Sequence, residues 1–407
     1  MRPLCCRMTT MPASVDSLWL ALRRVPGVGP RTAHLLLEKF GAPEKIFALK
    51  ADQIAAAGVQ NKVAHAVADF RDFEPIEREL CELPRIGAHL VRWTDADYPA
   101  RLREIADPPP YLFVRGETPA PDTRCVAVVG ARAASDAGRR MARRIGFELA
   151  AKGFTVVSGL ARGIDAEAHQ GALDAGGKTI AILGCGVDVI YPPEHRQLAD
   201  AIIANAGAIF SELPVGSQPL PENFPTRNRI ISGLSLGVVI VEAAEKSGSL
   251  ITARMALEQN RQVFAVPGSP LGGKASGSNR LIKQGAVLVD CVEDVIEELA
   301  PQLVESAASV AKSSGITSGK PSPVARNSQK TAAKTGTKSV ERILESSDAT
   351  VKAAKAIILE LKDDTKLHVD SLIEASGLDA QTVLRLLLEL ELKGIVAQHP
   401  GKLFSLA

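Results

Sequence analysis

From residue 125 to about residue 299, short apolar runs alternate with amphipathic stretches. The runs are 125–129, 154–157, 179–183, 208–210, 237–241, 262–266 and 286–289. Helical spacing fills most of the gaps, at 163–175, 196–205, 250–259 and 279–284. The first gap is the clearest. Ser135 and Asp136 offer an N-cap, Met141, Ile145 and Leu149 recur one turn apart, and Gly153 stands where a helix stops. Parallel strands need such crossovers, so the pattern predicts a doubly wound α/β sheet. All these strands but the last run into small or polar residues, among them Gly130-Ala131-Arg132, Ser158-Gly159 and Pro267-Gly268-Ser269. These loops fall at the carboxyl edge, where open α/β sheets bind ligands.

Outside this core the patterns change. Residues 1–16 show no periodicity and read as a disordered tail, with Met8 and Met11 available as alternative starts. Residues 17–82 are helical. Gly27-Val28-Gly29 lies between a helix at 17–24 and another at 31–40. A Gly-Val-Gly turn there resembles a helix-hairpin-helix, in which Gly27 and Gly29 let backbone amides approach a phosphate. The same turn also builds a tight corner that only packs, and both readings stay open. Residues 51–70 form a weaker helical pair without the second glycine hairpin. Residues 83–122 read as a connecting segment, irregular apart from a short strand at 111–114. Its Trp93 and Tyr98 are expected as wedges between domains. The core is placed at 123–300. Residues 301–345 form a flexible basic linker, because 301–340 holds six Lys/Arg against Glu305 alone. Residues 346–407 read as a winged helix, with a helix at 351–361, a helix-turn-helix at 368–393 and a hairpin of 395–397 with 403–406. Its third helix is rich in leucine and offers Gln381, Arg385 and Lys393 as donors. That favours protein contact or weak backbone contact over base reading.

A length of 407 residues allows two or three domains. The net charge of +2 excludes a uniformly basic coat but not a local basic patch. Six cysteines without a CxxC pair suggest reduced thiols and a cytoplasmic setting, with no disulfide framework or zinc site. No apolar h-region opens the chain and no run is long enough to span a bilayer, so neither a signal peptide nor a membrane is expected.

Enzyme chemistry finds little support. Gly130-Ala131-Arg132 is not G-x-G-x-x-G, and no acid follows the second strand to hold a ribose, so no dinucleotide cofactor is expected. Lys246-Ser247-Gly248-Ser249 reverses a Walker motif, and G-x-S-x-G is absent. Asp165, His169, Glu212 and Glu242 are isolated acids or bases without a nucleophile between them, so no catalytic residue is assigned. Anion binding fits better. Arg132 and Arg162 lie on neighbouring loops, and Ser247, Gly248 and Ser249 precede a helix whose first amides are free. Phe224, Arg227, Asn228 and Arg229 add two guanidiniums and a stackable ring just before another helix. Several phosphate sites with a ring suit a single strand better than one nucleotide. Pairing of Arg227 and Arg229 with Glu212 and Glu242 inside the fold is the alternative.

In order along the chain, VVGAR, SGLARGID, AILGCGVDVIYP, SELP, FPTRNRIISGLS, EAAEKSGSLITA and FAVPGS resemble the DprA/Smf family. YPARLREIADPPPYLFVRG resembles the family's lead-in to its core. The resemblance runs from residue 88 to about 299 and extends to the flanking helical and winged-helix regions. It implies an extended Rossmann-like sheet flanked by an N-terminal SAM-like or helix-hairpin-helix domain and a C-terminal winged helix. It implies binding of single-stranded DNA without turnover, loading of RecA recombinase onto that DNA in natural transformation, and a homodimer. By this resemblance Arg132 contacts DNA. Where some members carry a lysine after Tyr-Pro, this chain has Pro193, and Arg196 is the substitute on offer. The dimer surface falls on Leu257, Ile282 and Leu288, all apolar here. An enzyme acting on nucleotide phosphates, or a winged-helix regulator on a Rossmann scaffold, are the alternatives.

Overall fold

The computed structural model describes residues 14–120 and 123–313. In the C-terminal part it describes 367–368, 371–373, 383, 386–387, 390, 396–399 and 403–406. The chain divides into two compact units, Met1–Ile316 and Thr317–Ala407.

The first unit opens with six helices: α1 (Val15–Arg24), α2 (Pro30–Phe40), α3 (Pro43–Phe47), α4 (Ala51–Ala55), α5 (Asn61–Ala68) and α6 (Glu74–Glu82). Leu20, Leu22, Leu36, Leu37, Ile46 and Ile54 are buried among them. Ser14 caps α1, accepting the Ser17 amide. Gly29 is the N-cap of α2 and Pro30 its first residue. Gly27 has φ +86°, and a side chain there would meet Val63 at 2.8 Å. The turn is thus packed on α5 as well as tightly wound.

Two strands lie where the sequence reads as mostly irregular. β1 (Ala88–Arg92) pairs antiparallel with β2 (Tyr111–Gly116), which pairs antiparallel with residues 208–211 of the core. β1 escapes notice because it is only five residues long and buries just Ala88 and Val91, without a period-2 pattern. Trp93 follows β1 and meets His34 of α2 edge-on at 5.3 Å, a wedge between the helices and the sheet. Tyr98 is buried, its hydroxyl donating to the Pro109 carbonyl at 2.8 Å.

The core follows as β3 (Cys125–Val129), α8 (Asp136–Ala151), β4 (Thr155–Ser158), α9 (Ile164–Asp174), β5 (Thr179–Ile182), α10 (Arg196–Ala204), β6 (Ala208–Ser211), α11 (Asn223–Leu234), β7 (Gly237–Ile240), α12 (Ser249–Glu258), β8 (Gln262–Ala265), α13 (Ser276–Lys283), β9 (Val287–Leu288) and α14 (Val292–Ser313). A short helix, α7 (Ala100–Arg103), lies between β1 and β2. The nine strands order as β1-β2-β6-β5-β4-β3-β7-β8-β9. Strands β3 to β9 are parallel to their core neighbours. Residues of β3 to β7 are buried throughout, as expected of a sheet covered on both faces. The order grows outward from β3 in both directions, so β3 and β7 flank the topological switch point.

Three predicted boundaries shift. The 224–229 stretch lies inside the first turns of α11, because Pro225 is tolerated there. α13 starts at Ser276. α14 runs through Pro301 to Ser313, so the helix extends into the stretch read as linker.

In the second unit β12 (Leu403–Leu406) sits between β10 (Leu367–His368) and β11 (Val396–His399), antiparallel to both. Leu386, Leu387 and Leu390 are buried with Leu372, Val396 and Phe404, so leucines of the third helical stretch build the unit's own core. The expected helix at 351–361 and most of the linker lie outside the described residues.

Candidate nucleic-acid interface

At the switch point of a doubly wound sheet, the helix after the first strand ordinarily presents bare amides to a phosphate. Here that position is filled from within. Glu242, just beyond β7, accepts the Ser135 amide at 3.1 and 3.2 Å and the Ser135 hydroxyl at 2.5 Å. Ser135 in turn caps α8, accepting the Gly138 amide at 3.1 Å. The buried carboxylate supplies the negative charge at this helix end.

The open cleft lies beside it, with a volume of about 400 Å³. Gly130, Arg132, Asp165, Phe224, Arg227, Asn228 and Ser247-Gly248-Ser249 contribute to its walls. Gly248 is the N-cap of α12, and Ser247 and Ser249 join hydroxyls at 2.8 Å. Arg132 is exposed, and among the described residues its guanidinium has no carboxylate partner within 4.0 Å. It lies 5.3 Å from the Phe224 ring centre. The ring also meets Arg227 at 5.9 Å and Tyr191 at 5.7 Å. A side chain at Gly184 would run into it at 2.9 Å. As placed, Phe224 is a seat for the Arg132 guanidinium rather than a bare stacking platform. A smaller annex joins Arg132 and Phe224 to Gly159, Arg162, Tyr191 and Pro192.

The other two arginines of the cluster turn inward. Arg227 donates to the carbonyls of Gly159, at 3.0 Å, and Ile182. Burial brings its pKa down to about 10, with Asp165 opposing the fall. Asp165 accepts the Gly159 amide at 3.1 Å and the Ala161 amide at 3.4 Å. A Cβ on Gly159 would stand 2.6 Å from Arg227 Nη1 and 2.8 Å from Asp165 Oδ2, so glycine is required for this close approach. Arg229 forms a bidentate pair with Glu212, both bonds 2.7 Å, with side chains 4% and 6% exposed. Its Nε lies 3.3 Å from Asp107. The guanidinium is consumed, and Arg229 is removed from the expected DNA contacts. The helical turn that carries Arg227 and Arg229 points both at the sheet. Glu242 serves α8 and not either arginine.

The remaining predicted residues divide. Ser158 is buried and donates to the Val128 carbonyl at 2.7 Å, which takes it out of the interface. Ala131 hydrogen-bonds through its backbone to Glu242 and Ile164, tying the β3 loop in place. Arg162 is exposed and paired with Glu194 at 2.5 Å. Arg196 is exposed at the start of α10 and does not line the cleft. Leu257 and Leu288 are exposed, and Ile282 is half-buried. Ile251, Thr252 and Pro221 line the cleft without having been singled out. They carry no chemical signature in sequence. His169 is fully buried, its Nδ1 2.7 Å from the Thr179 hydroxyl, and burial holds its pKa down at about 3.

The fold therefore defines a Rossmann-like α/β protein with a cationic cleft at its switch point, preceded by helices and followed by a winged helix. Residues 89–300 match the family described as DNA recombination-mediator protein A. Residues 339–402 match the DprA winged helix domain, and 20–72 a SAM-like helix-hairpin-helix tandem. Protein Smf of Synechocystis is 36% identical over 403 residues, covering 96% of this chain and 98% of that one. Protein Smf of Escherichia coli is 50% identical over 225 residues, covering 55% of this chain but 60% of its own length. The X-ray structure of DNA processing protein A from Streptococcus pneumoniae superposes with a TM-score of 0.62 at 36% identity, over 71% of this chain and 99% of that one. The chain belongs to the DprA/Smf family.

Proposed function

We propose that the core holds single-stranded DNA along its carboxyl edge and delivers it, chemically unchanged, to a recombinase. The observation that carries this reading is Arg132, without a carboxylate partner among the described residues, seated on Phe224 beside the α12 N-terminus, while Glu242 closes the neighbouring nucleotide-phosphate position. A mononucleotide enzyme would need the closed position. A strand needs successive exposed cations, and Arg132 offers the first. The family's description as a recombination mediator supports RecA as the recipient and natural transformation as the setting, in the cytoplasm. Exposed Leu257 and Leu288 support a two-fold contact between copies at the β9 end of the sheet. Among the described residues no helix is long and apolar enough to cross a membrane.

The test is a salt titration of binding to single- and double-stranded oligonucleotides of equal length. Single strands should bind more tightly. Arg132→Ala should weaken them uniformly and lower the log–log salt slope by about 0.7, the loss of one phosphate contact. Its thermal unfolding should be unchanged. A folded Arg132→Ala protein with the wild-type slope and affinity would overturn the reading.

A further inference from the structure

Residues 268–275, between β8 and α13, form a loop pinned to the first turn of α13. The Asn279 side chain closes its ends, accepting the Gly268 amide at 3.0 Å and donating to the Gly268 carbonyl at 2.8 Å. The Ser269 hydroxyl accepts the Leu271 amide at 3.3 Å, and Ser276 donates to the Gly273 carbonyl at 2.9 Å. The Gly277 amide, in the first turn of α13, donates to the Ala243 carbonyl at 2.8 Å, seating that turn on the segment that follows β7. Lys274 then reaches across, its Nζ donating to the Ala133 carbonyl at 3.1 Å. Ala133 is the residue after Arg132, so the loop is tied directly to the cationic side of the cleft.

At the tip, Leu271 is 96% exposed, against 60% for Leu257, the next most exposed large apolar side chain among the described residues. The bonds on both sides of Leu271 hold it there. Lys274 is exposed and spends one of three donors on Ala133. Residues 268–279 contain no acid.

We propose that this loop is a second contact for the strand held in the cleft, with Lys274 on a phosphate and Leu271 wedged against the adjoining bases. The proposal rests on the reading of the cleft as a single-strand site. A protein partner would call for a broader apolar patch. The loop offers one apolar tip and, three residues on, one cation, flanked by glycine and serine; in duplexes an apolar side chain of this kind wedges between base steps.

The experiment compares oligo-dT of about six and about twenty nucleotides, one near the lower end of single-strand site sizes and one beyond their upper end. Wild type, Leu271→Ala and Lys274→Gln should bind the short strand alike, since it is satisfied by the cleft. On the long strand Leu271→Ala should lose at least about fivefold in affinity with an unchanged salt slope. Lys274→Gln should lower the slope by about 0.7. Wild-type behaviour of both variants on the long strand, with Arg132→Ala still impaired, would overturn the loop contact and leave the cleft standing. Intact long-strand binding by Arg132→Ala would remove the cleft reading and this proposal with it. A changed oligomeric state of Leu271→Ala in light scattering, at unchanged DNA affinity, would mean that the tip sits on a second copy and would also overturn it.

Discussion

Glu242→Ala should open an anion site that the fold keeps shut. The carboxylate is buried at the N-terminus of α8, where it holds the Ser135 amide and hydroxyl. A negative charge in a partly buried position at a helix start contributes up to about 2 kcal/mol. Hydrogen bonds to a charged group contribute about 1.5–3 kcal/mol each, and these terms overlap rather than add. A loss of about 3–4 kcal/mol follows, or roughly 10 °C in melting temperature for a core of this size. Glu242→Gln keeps an acceptor oxygen without the charge and should lose about half as much. Sulfate then becomes a probe. It should occupy the vacated position and, at ten times its dissociation constant, restore about 1.4 kcal/mol beyond its general effect on the wild type. Thermal unfolding of both proteins in chloride and in sulfate at equal ionic strength reads this difference directly. A Glu242→Ala protein within about 1 kcal/mol of wild type would refute the reasoning. So would an identical sulfate gain in the two.

Arg229→Met leaves Glu212 buried without its partner and should cost about 3–5 kcal/mol in urea unfolding; a variant of wild-type stability that has lost DNA would return Arg229 to the interface. Burial, then His195 and Arg227, holds His169 neutral down to about pH 3 from a usual 6.5. Below 6.5 the unfolded chain gains a proton that the folded chain does not, so stability should fall between about pH 6.5 and 3, by up to about 1.4 kcal/mol per pH unit from this group. His169→Gln should flatten that slope in urea titrations at successive pH values, and an unaltered slope would contradict the assignment. Leu288→Glu should turn a dimer into a monomer in light scattering, and a wild type already monomeric at micromolar concentration would count against the interface.

The parallel core was legible because buried strands are continuous apolar runs, and their loops must fall at one edge. Arg132 was legible for the same reason, since it follows the first run directly. Side-chain direction was not. The stretch before 230 reads as a loop ending in a helix, and a loop would leave Arg227 and Arg229 free. Placing Pro225 inside the first turn commits both to the sheet, and no local pattern announces that. Glu242 shows the same limit, since its partner Ser135 lies 107 residues away. Lys274 sits among glycines and serines and becomes meaningful only when β8 is placed beside β7. Long-range pairing, rather than composition, decides each of these.

Glu79 of α6 binds Arg24 of α1 and accepts the Val215 amide at 2.8 Å. Val215 belongs to the segment between β6 and α11, which carries Pro221 into the cleft and leads directly into the first turn of α11 with Phe224. The helical region and the sheet are therefore not interchangeable modules. A chimera that kept this core but took its leading helices from a relative lacking the carboxylate would lose one tie on this segment and keep those to Asp188 and Gly186. Domain exchange within the family must carry position 79 and the segment around 215 together, as a single inherited unit.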